Sequence, residues 1–270
     1  MTTENLDLDK LLVEAEDILR QAGAMAMTHY GKGRPDLKFD EELVTQIELQ
    51  LTAFFQKEIE SRFPGHRVFF SNQEEAPTYS HAQDRFLWVF DALDGAANML
   101  AGIPVWGLSA ALLDNHWPTV GLFFMPATGD FFQARAGGPA LHNKTPMQIS
   151  TIEDLNNESL LLTYSRFHHH YHSVFPGKIR NFGCTGAHIC YVAMGRADAT
   201  VIANESFQEL AAARVLIEAS GGKLFTMSGG EFYLSEHLDG SKLNEPLLVT
   251  TEQLCPQVQA ILKPADGFKW

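Results

Sequence analysis

The chain predicts a layered α+β sandwich. Two long helical patterns open it, short apolar and β-branched segments punctuated by turn residues fill its middle, and helices alternate with strands toward its end. At 270 residues with 45% hydrophobic content, it has enough apolar material for a large packed core. It reads as one domain over residues 1–270, with approximate halves 1–150 and 151–270.

The elements follow in order. Leu8, Leu11, Leu12, Ala15, Ile18, Leu19 and Ala22 recur at helical spacing, with Asp7 placed to cap the start and Gly31 to end the helix. Val44, Ile47, Leu51, Phe54, Phe55 and Ile59 predict a second helix, stopped by Pro64-Gly65. Arg67 to Ser71 reads as a strand, Asn72 to Asp84 as a polar loop, and Phe86 to Phe90 as a buried strand. Val105 to Leu113 and Thr119 to Met125 form a strand pair joined by a turn at Asp114-Asn115-His116, followed by strands at Phe131 to Ala134 and Ser159 to Tyr164. Thr185 to Met194 suits a helix, Ala199 to Ile202 a strand, and Ser206 to Ala219 a helix with Ser206 and Glu209 in capping-box spacing. Short strands are predicted at Phe225, Phe232-Tyr233 and Leu247 to Thr250.

A net charge of −13 makes nucleic acid and anionic membranes poor partners. The N-terminal segment is acidic and polar, unlike a signal peptide, and no apolar run reaches the roughly 18 residues of a membrane span. Cys184, Cys190 and Cys255 show no CxxC pair and read as reduced structural thiols of a cytoplasmic protein. The run Arg166-Phe167-His168-His169-His170-Tyr171-His172 reads as a solvated loop, because consecutive imidazoles cannot all face one ion.

The stretch Trp88 to Met99 carries the chemistry. An apolar strand ends in Asp91 and Asp94, three positions apart, and Gly95 follows. The C-terminal edge of a strand is where α/β architectures gather their sites. Paired carboxylates repel unless a cation lies between them, and their oxygens suit Mg²⁺. Asp and Gly are also common turn formers, so turn and metal site both stand on these residues alone.

This stretch resembles the signature of the inositol monophosphatase family, roughly W-V-[IL]-D-P-[IL]-D-G-T-[TS]-N-F. Asp91, Leu93, Asp94, Gly95 and Asn98 match, whereas Ala96 and Ala97 replace the two hydroxyl residues. The resemblance runs from the first helix to about Thr250 and implies a fold of stacked α, β, α, β, α layers. It implies Mg²⁺ ligands at Asp91, the Leu93 carbonyl, Asp94 and Glu209, and phosphate-holding amides at Gly95 and Ala96. It also implies a homodimer and a small phosphorylated ligand.

Departures from the family pattern set the functional expectation. Glu48 stands where the family has an aspartate supporting the water-activating threonine. With Ala96 in that threonine's place, Glu48 reads as a helical surface residue. The family's metal-binding glutamate falls at Ser71 and its neighbour at Asn72, with Glu74 and Glu75 close by. Glu209 replaces an aspartate, and Ile202 replaces an acidic contact to a substrate hydroxyl. The expectation is therefore an impaired metal and water-activating site with weak or absent Mg²⁺ binding, in a pseudophosphatase or phosphate-ligand binder. The alternative is an active divalent-metal-dependent phosphomonoesterase on a sugar or inositol phosphate. A structural partner subunit with an empty cleft is a third reading.

Overall fold

The computed structural model describes residues 7–33, 41–69, 85–234 and 242–265. The first layer is α1 (Leu8–Met27) with α2 (Glu41–Arg62). The Asp7 carboxylate accepts from the Lys10 amide at 3.1 Å, the cap the sequence predicts. The second layer is a seven-stranded sheet in chain order: β1 (Arg67–Phe69), β2 (Phe86–Asp94), β3 (Gly107–Asp114), β4 (Trp117–Met125), β5 (Asp130–Arg135), β6 (Leu141–His142) and β7 (Thr145–Pro146). Only β1 and β2 run parallel; the rest are antiparallel. The short helix α3 (Ala96–Ala101) leaves the end of β2.

The remaining elements build the other three layers. The second sheet orders β10 (Lys178–Arg180), β8 (Leu160–Thr163), β11 (Ala199–Ile202), β13 (Leu247–Thr250) and β12 (Lys223–Thr226). Between the sheets lie α5 (Thr185–Ala193) and α6 (Phe207–Ala219). Outside the second sheet pack α4 (Phe167–His170), β9 (Tyr171–Ser173), α7 (Cys255–Ile261) and β14 (Leu262–Pro264).

Alternation along β2 and β3 produces this stacking. Trp88 and Phe90, with Leu108, Ala110 and Leu112, pack against α1 and α2. Leu87, Val89, Ala111 and Leu113 face the other way, toward α5, α6 and the second sheet. Asp91 continues the odd-numbered face of β2 and Ser109 that of β3, so both look into the layer between the sheets. The expected α, β, α, β, α order is therefore present.

Several expectations need correction. β2 does not stop at Phe90 but runs on to Asp94, with its register to β3 shifting between Asp91 and Asp94. Asp91 and Asp94 both stay paired to β3, opposite Ser109 and Gly107, and the irregularity falls on Ala92 and Leu93 between them. Among the described residues Phe232-Tyr233 is not a strand; Glu231 makes an isolated bridge to Phe225, and the Phe232 amide donates to the Leu224 carbonyl at 2.9 Å. The histidine run is no simple loop either. Phe167 and Tyr171 are buried and stack at 5.4 Å, winding His168 to His170 into α4. The part of the predicted β1 strand beyond Phe69 and the Asn72–Asp84 loop lie outside the described residues.

Candidate active site

The acid pair occupies the end of β2, beside the start of α5. The Asp94 carboxylate is held from both sides: Oδ1 accepts from the Thr185 amide at 3.1 Å, and Oδ2 from the Gly186 amide. These are the first amides of α5, and a carboxylate here neutralises orphan donors and the helix dipole together. Burial raises the Asp94 pKa, while those amides and the Cys184 thiol oppose the rise. Asp91 has weaker support, a long 3.4 Å bond from the Leu93 amide. Desolvation pushes its carboxyl well above the usual range, and the charges of Asp94, Glu209 and Glu48 push it further. Both residues are half-buried by area, but their carboxyl groups lie deeper, closely surrounded.

A small cleft opens beside the pair, lined by Asp91, Asp94, Ser109, Gly186, Cys190 and Glu209, with Phe123 and small residues of α6 behind. It admits about one water-sized particle. The Ser109 hydroxyl is buried on its wall with no hydrogen-bond partner among the described residues. Every side-chain oxygen lining the cleft is a hard donor, the kind Mg²⁺ or Mn²⁺ takes. The donor set therefore fits a hard divalent cation. Among the described residues, however, no three His, Cys, Asp or Glu side chains converge as a preformed ligand group.

One oxygen of Glu209 is already engaged: its Oε2 accepts from the Ser206 amide, the back-bond the capping-box spacing predicts. Its other oxygen lies 4.0 Å from the Lys242 ammonium. Glu48 departs from its reading as a surface residue. It is half-buried on α2, its carboxyl raised by desolvation, and its charge reaches Asp91. Its neighbours Ile47 and Leu51 are both buried, which places it on the flank of the buried stripe. Leu93 and Ile202 are buried, and Ile202 brings nothing polar. Ser71, Asn72, Glu74 and Glu75 lie outside the described residues.

Directly after Asp94 in the chain, Gly95 caps α3 and Ala96 is its first residue. Gly95 has φ +80°, and a Cβ there would meet the Val105 carbonyl at 3.0 Å and the Cys184 Cβ at 3.1 Å. Asn98 fixes this corner by donating Nδ2 to the Val105 carbonyl at 2.7 Å and the Phe182 carbonyl at 2.6 Å. Sequence reasoning missed Glu205. It is buried, and its Oε1 accepts from the Thr185 hydroxyl at 2.7 Å. Desolvation holds its carboxyl well above the usual range, helped by Glu209 and Asp94 and opposed by the Thr185 bond and Lys242. Its place between the end of β11 and the start of α6 was the available signal.

Residues 7–263 match the model of the Inositol monophosphatase family. A histidinol-phosphatase of Chlorobaculum parvum is 25% identical over 225 residues, covering 80% of this chain and 85% of that protein. Inositol monophosphatase 1 of Bos taurus is 24% identical over 261 residues, covering 92% and 91%. The Nus factor SuhB of Xylella fastidiosa is 30% identical over 185 residues, covering 65% and 66%. Among solved structures, the IMPase of Thermotoga maritima superposes with a TM-score of 0.76 at 21% identity, covering 93% of this chain and 96% of that one. The extragenic suppressor protein suhB of Bartonella henselae gives 0.74 at 19%, covering 93% and 97%. At these identities the structural likeness establishes the fold.

Proposed function

The chain belongs to the inositol monophosphatase family, and from that premise we propose that it is a divalent-cation-dependent phosphomonoesterase with a rearranged acid site. The carrying observation is the charge at Asp91: a desolvated carboxyl pressed by Asp94, Glu209 and Glu48, with no ion pair to a basic side chain among the described residues. Such an arrangement favours a cation over isolated anions.

Asp91, Asp94 and the Leu93 carbonyl would hold the ion, and Glu209 has Oε1 left for it. A bound Mg²⁺ supplies charge withdrawal from the phosphate and a water of lowered pKa. The chain's own residues do the rest. The α5 amides fix Asp94, and Asn98 locks the corner where the Gly95 and Ala96 amides hold phosphate oxygens. The relatives are named for histidinol phosphate and inositol monophosphate. Both are phosphate esters of small polar alcohols, and the substrate class proposed here is that one, sugar phosphates included. The family resemblance further supports a homodimer.

Ala96 carries a second reading. Without a hydroxyl at this position nothing there orients the attacking water, so a pseudophosphatase that binds a phosphorylated ligand without cleaving it follows from that substitution. Phosphate release from inositol, sugar and histidinol phosphates, with Mg²⁺ or with chelator, separates the two. Mg²⁺-dependent release supports the enzyme, and ligand binding without release supports the pseudoenzyme.

A further inference from the structure

We propose that Glu205 is a working part of the cation site, a fourth carboxylate that positions Asp94 through Thr185 and supplies negative charge that Ser71 does not. This rests on the cation-site reading given above. Thr185 is the link: its hydroxyl donates to Glu205 at 2.7 Å, and its amide donates to Asp94 at 3.1 Å. Glu205 is itself anchored, because its backbone carbonyl accepts from the Leu243 amide at 2.8 Å. Asn204 before it turns with φ +64°, which carries the chain from β11 into the start of α6.

A neutral acceptor would hold the Thr185 hydroxyl just as well. Burying an ionisable carboxyl to 7% exposure for that purpose alone is the costlier choice. That cost points to a second use for the carboxyl. Its field reaches both Asp94 and Glu209, so it acts on the same cleft. Independently, the Ser109 hydroxyl is 5% exposed, lines that cleft beside Asp91 and Asp94, and has no partner among the described residues. An orphaned oxygen donor on the wall of an acid cleft with room for one particle points to a single bound cation or water as its partner. Lys242 offsets part of the charge, with its ammonium 4.0 Å from Glu209 and bonded to the Asn204 carbonyl at 2.8 Å, but it is 66% exposed at the rim.

The test is calorimetric titration of the full chain with MnCl₂, wild type against Glu205→Gln and Glu205→Asp. Glu205→Gln keeps an acceptor for Thr185 and removes the charge, so Mn²⁺ affinity falls about tenfold or more, while Glu205→Asp stays within about threefold of wild type. Unchanged affinity in Glu205→Gln overturns the proposal and leaves the cation site standing. A wild type that binds no Mn²⁺ overturns the cation site itself, and this proposal with it. Where Glu205→Gln does not fold, Thr185→Val removes the hydroxyl bond to Glu205 and keeps the amide bond to Asp94. It should then weaken Mn²⁺ binding at least about threefold, and unchanged binding overturns the proposal.

Discussion

Asp91 stands directly opposite Ser109 across the β2–β3 ladder, and the Ser109 hydroxyl is buried without a partner among the described residues. A buried unsatisfied hydroxyl costs about 1–3 kcal/mol. Ser109→Ala therefore leaves the metal-free protein as stable as wild type or about 1 kcal/mol more stable, read by urea denaturation. A loss above about 1 kcal/mol would mean that the hydroxyl already has a partner.

The acid pair sets a pH dependence. Asp91, Asp94 and Glu205 all have folded pKa values raised above their ordinary ones. The folded state thus holds protons more tightly than the unfolded chain. The stability this gives is full below the ordinary carboxylate values, near 4, and is lost as pH rises through the raised folded values. At pH 7.5 with chelator, Asp91→Asn should raise Tm by a few degrees, and added Mg²⁺ should stabilise wild type more than the variant. A lower Tm for chelated Asp91→Asn contradicts this.

His188 works in the opposite direction. It is buried, its Nε2 accepts from the Phe182 amide at 2.9 Å, and desolvation lowers its pKa to about 4. Its contribution is intact above the ordinary histidine value and is lost as pH falls from about 6.5 to 4, amounting to about 3 kcal/mol at the lower end. His188→Gln should flatten the acid limb of the stability profile. Equal acid sensitivity in variant and wild type would assign that limb to other groups.

The layers were legible because their periodicity is strong. The strands Ala199–Ile202 and Leu247–Thr250 and the Asp7 cap occur where the pattern places them. Asp91 and Asp94 were legible because acids at the end of an apolar strand stand out. Glu48 and Glu205 were not. One flanks a buried stripe and resembles any helical glutamate, and the other sits in an Asn-Glu-Ser turn that looks solvated. Their burial comes from packing between layers distant in sequence. In the histidine run, the Phe167 and Tyr171 pair at helical spacing carried the structural signal, and the imidazoles between them hid it.

Ala96 sits at the first position of α3, half-buried and two residues after Asp94. Ala96→Thr should raise phosphate release at least about tenfold by restoring a group that orients water, and Ser71→Glu combined with it should raise release further. No gain in either variant would mean that water is positioned by another group.

Mg²⁺-dependent phosphate release by wild type and Asp91→Asn, measured across inositol, sugar and histidinol phosphates, tests the cation-dependent reading most directly. The expected result is turnover in wild type that chelator abolishes and Asp91→Asn lowers about 10²-fold or more. Wild type that releases no phosphate from any of these esters, or release that Asp91→Asn leaves intact, would contradict it.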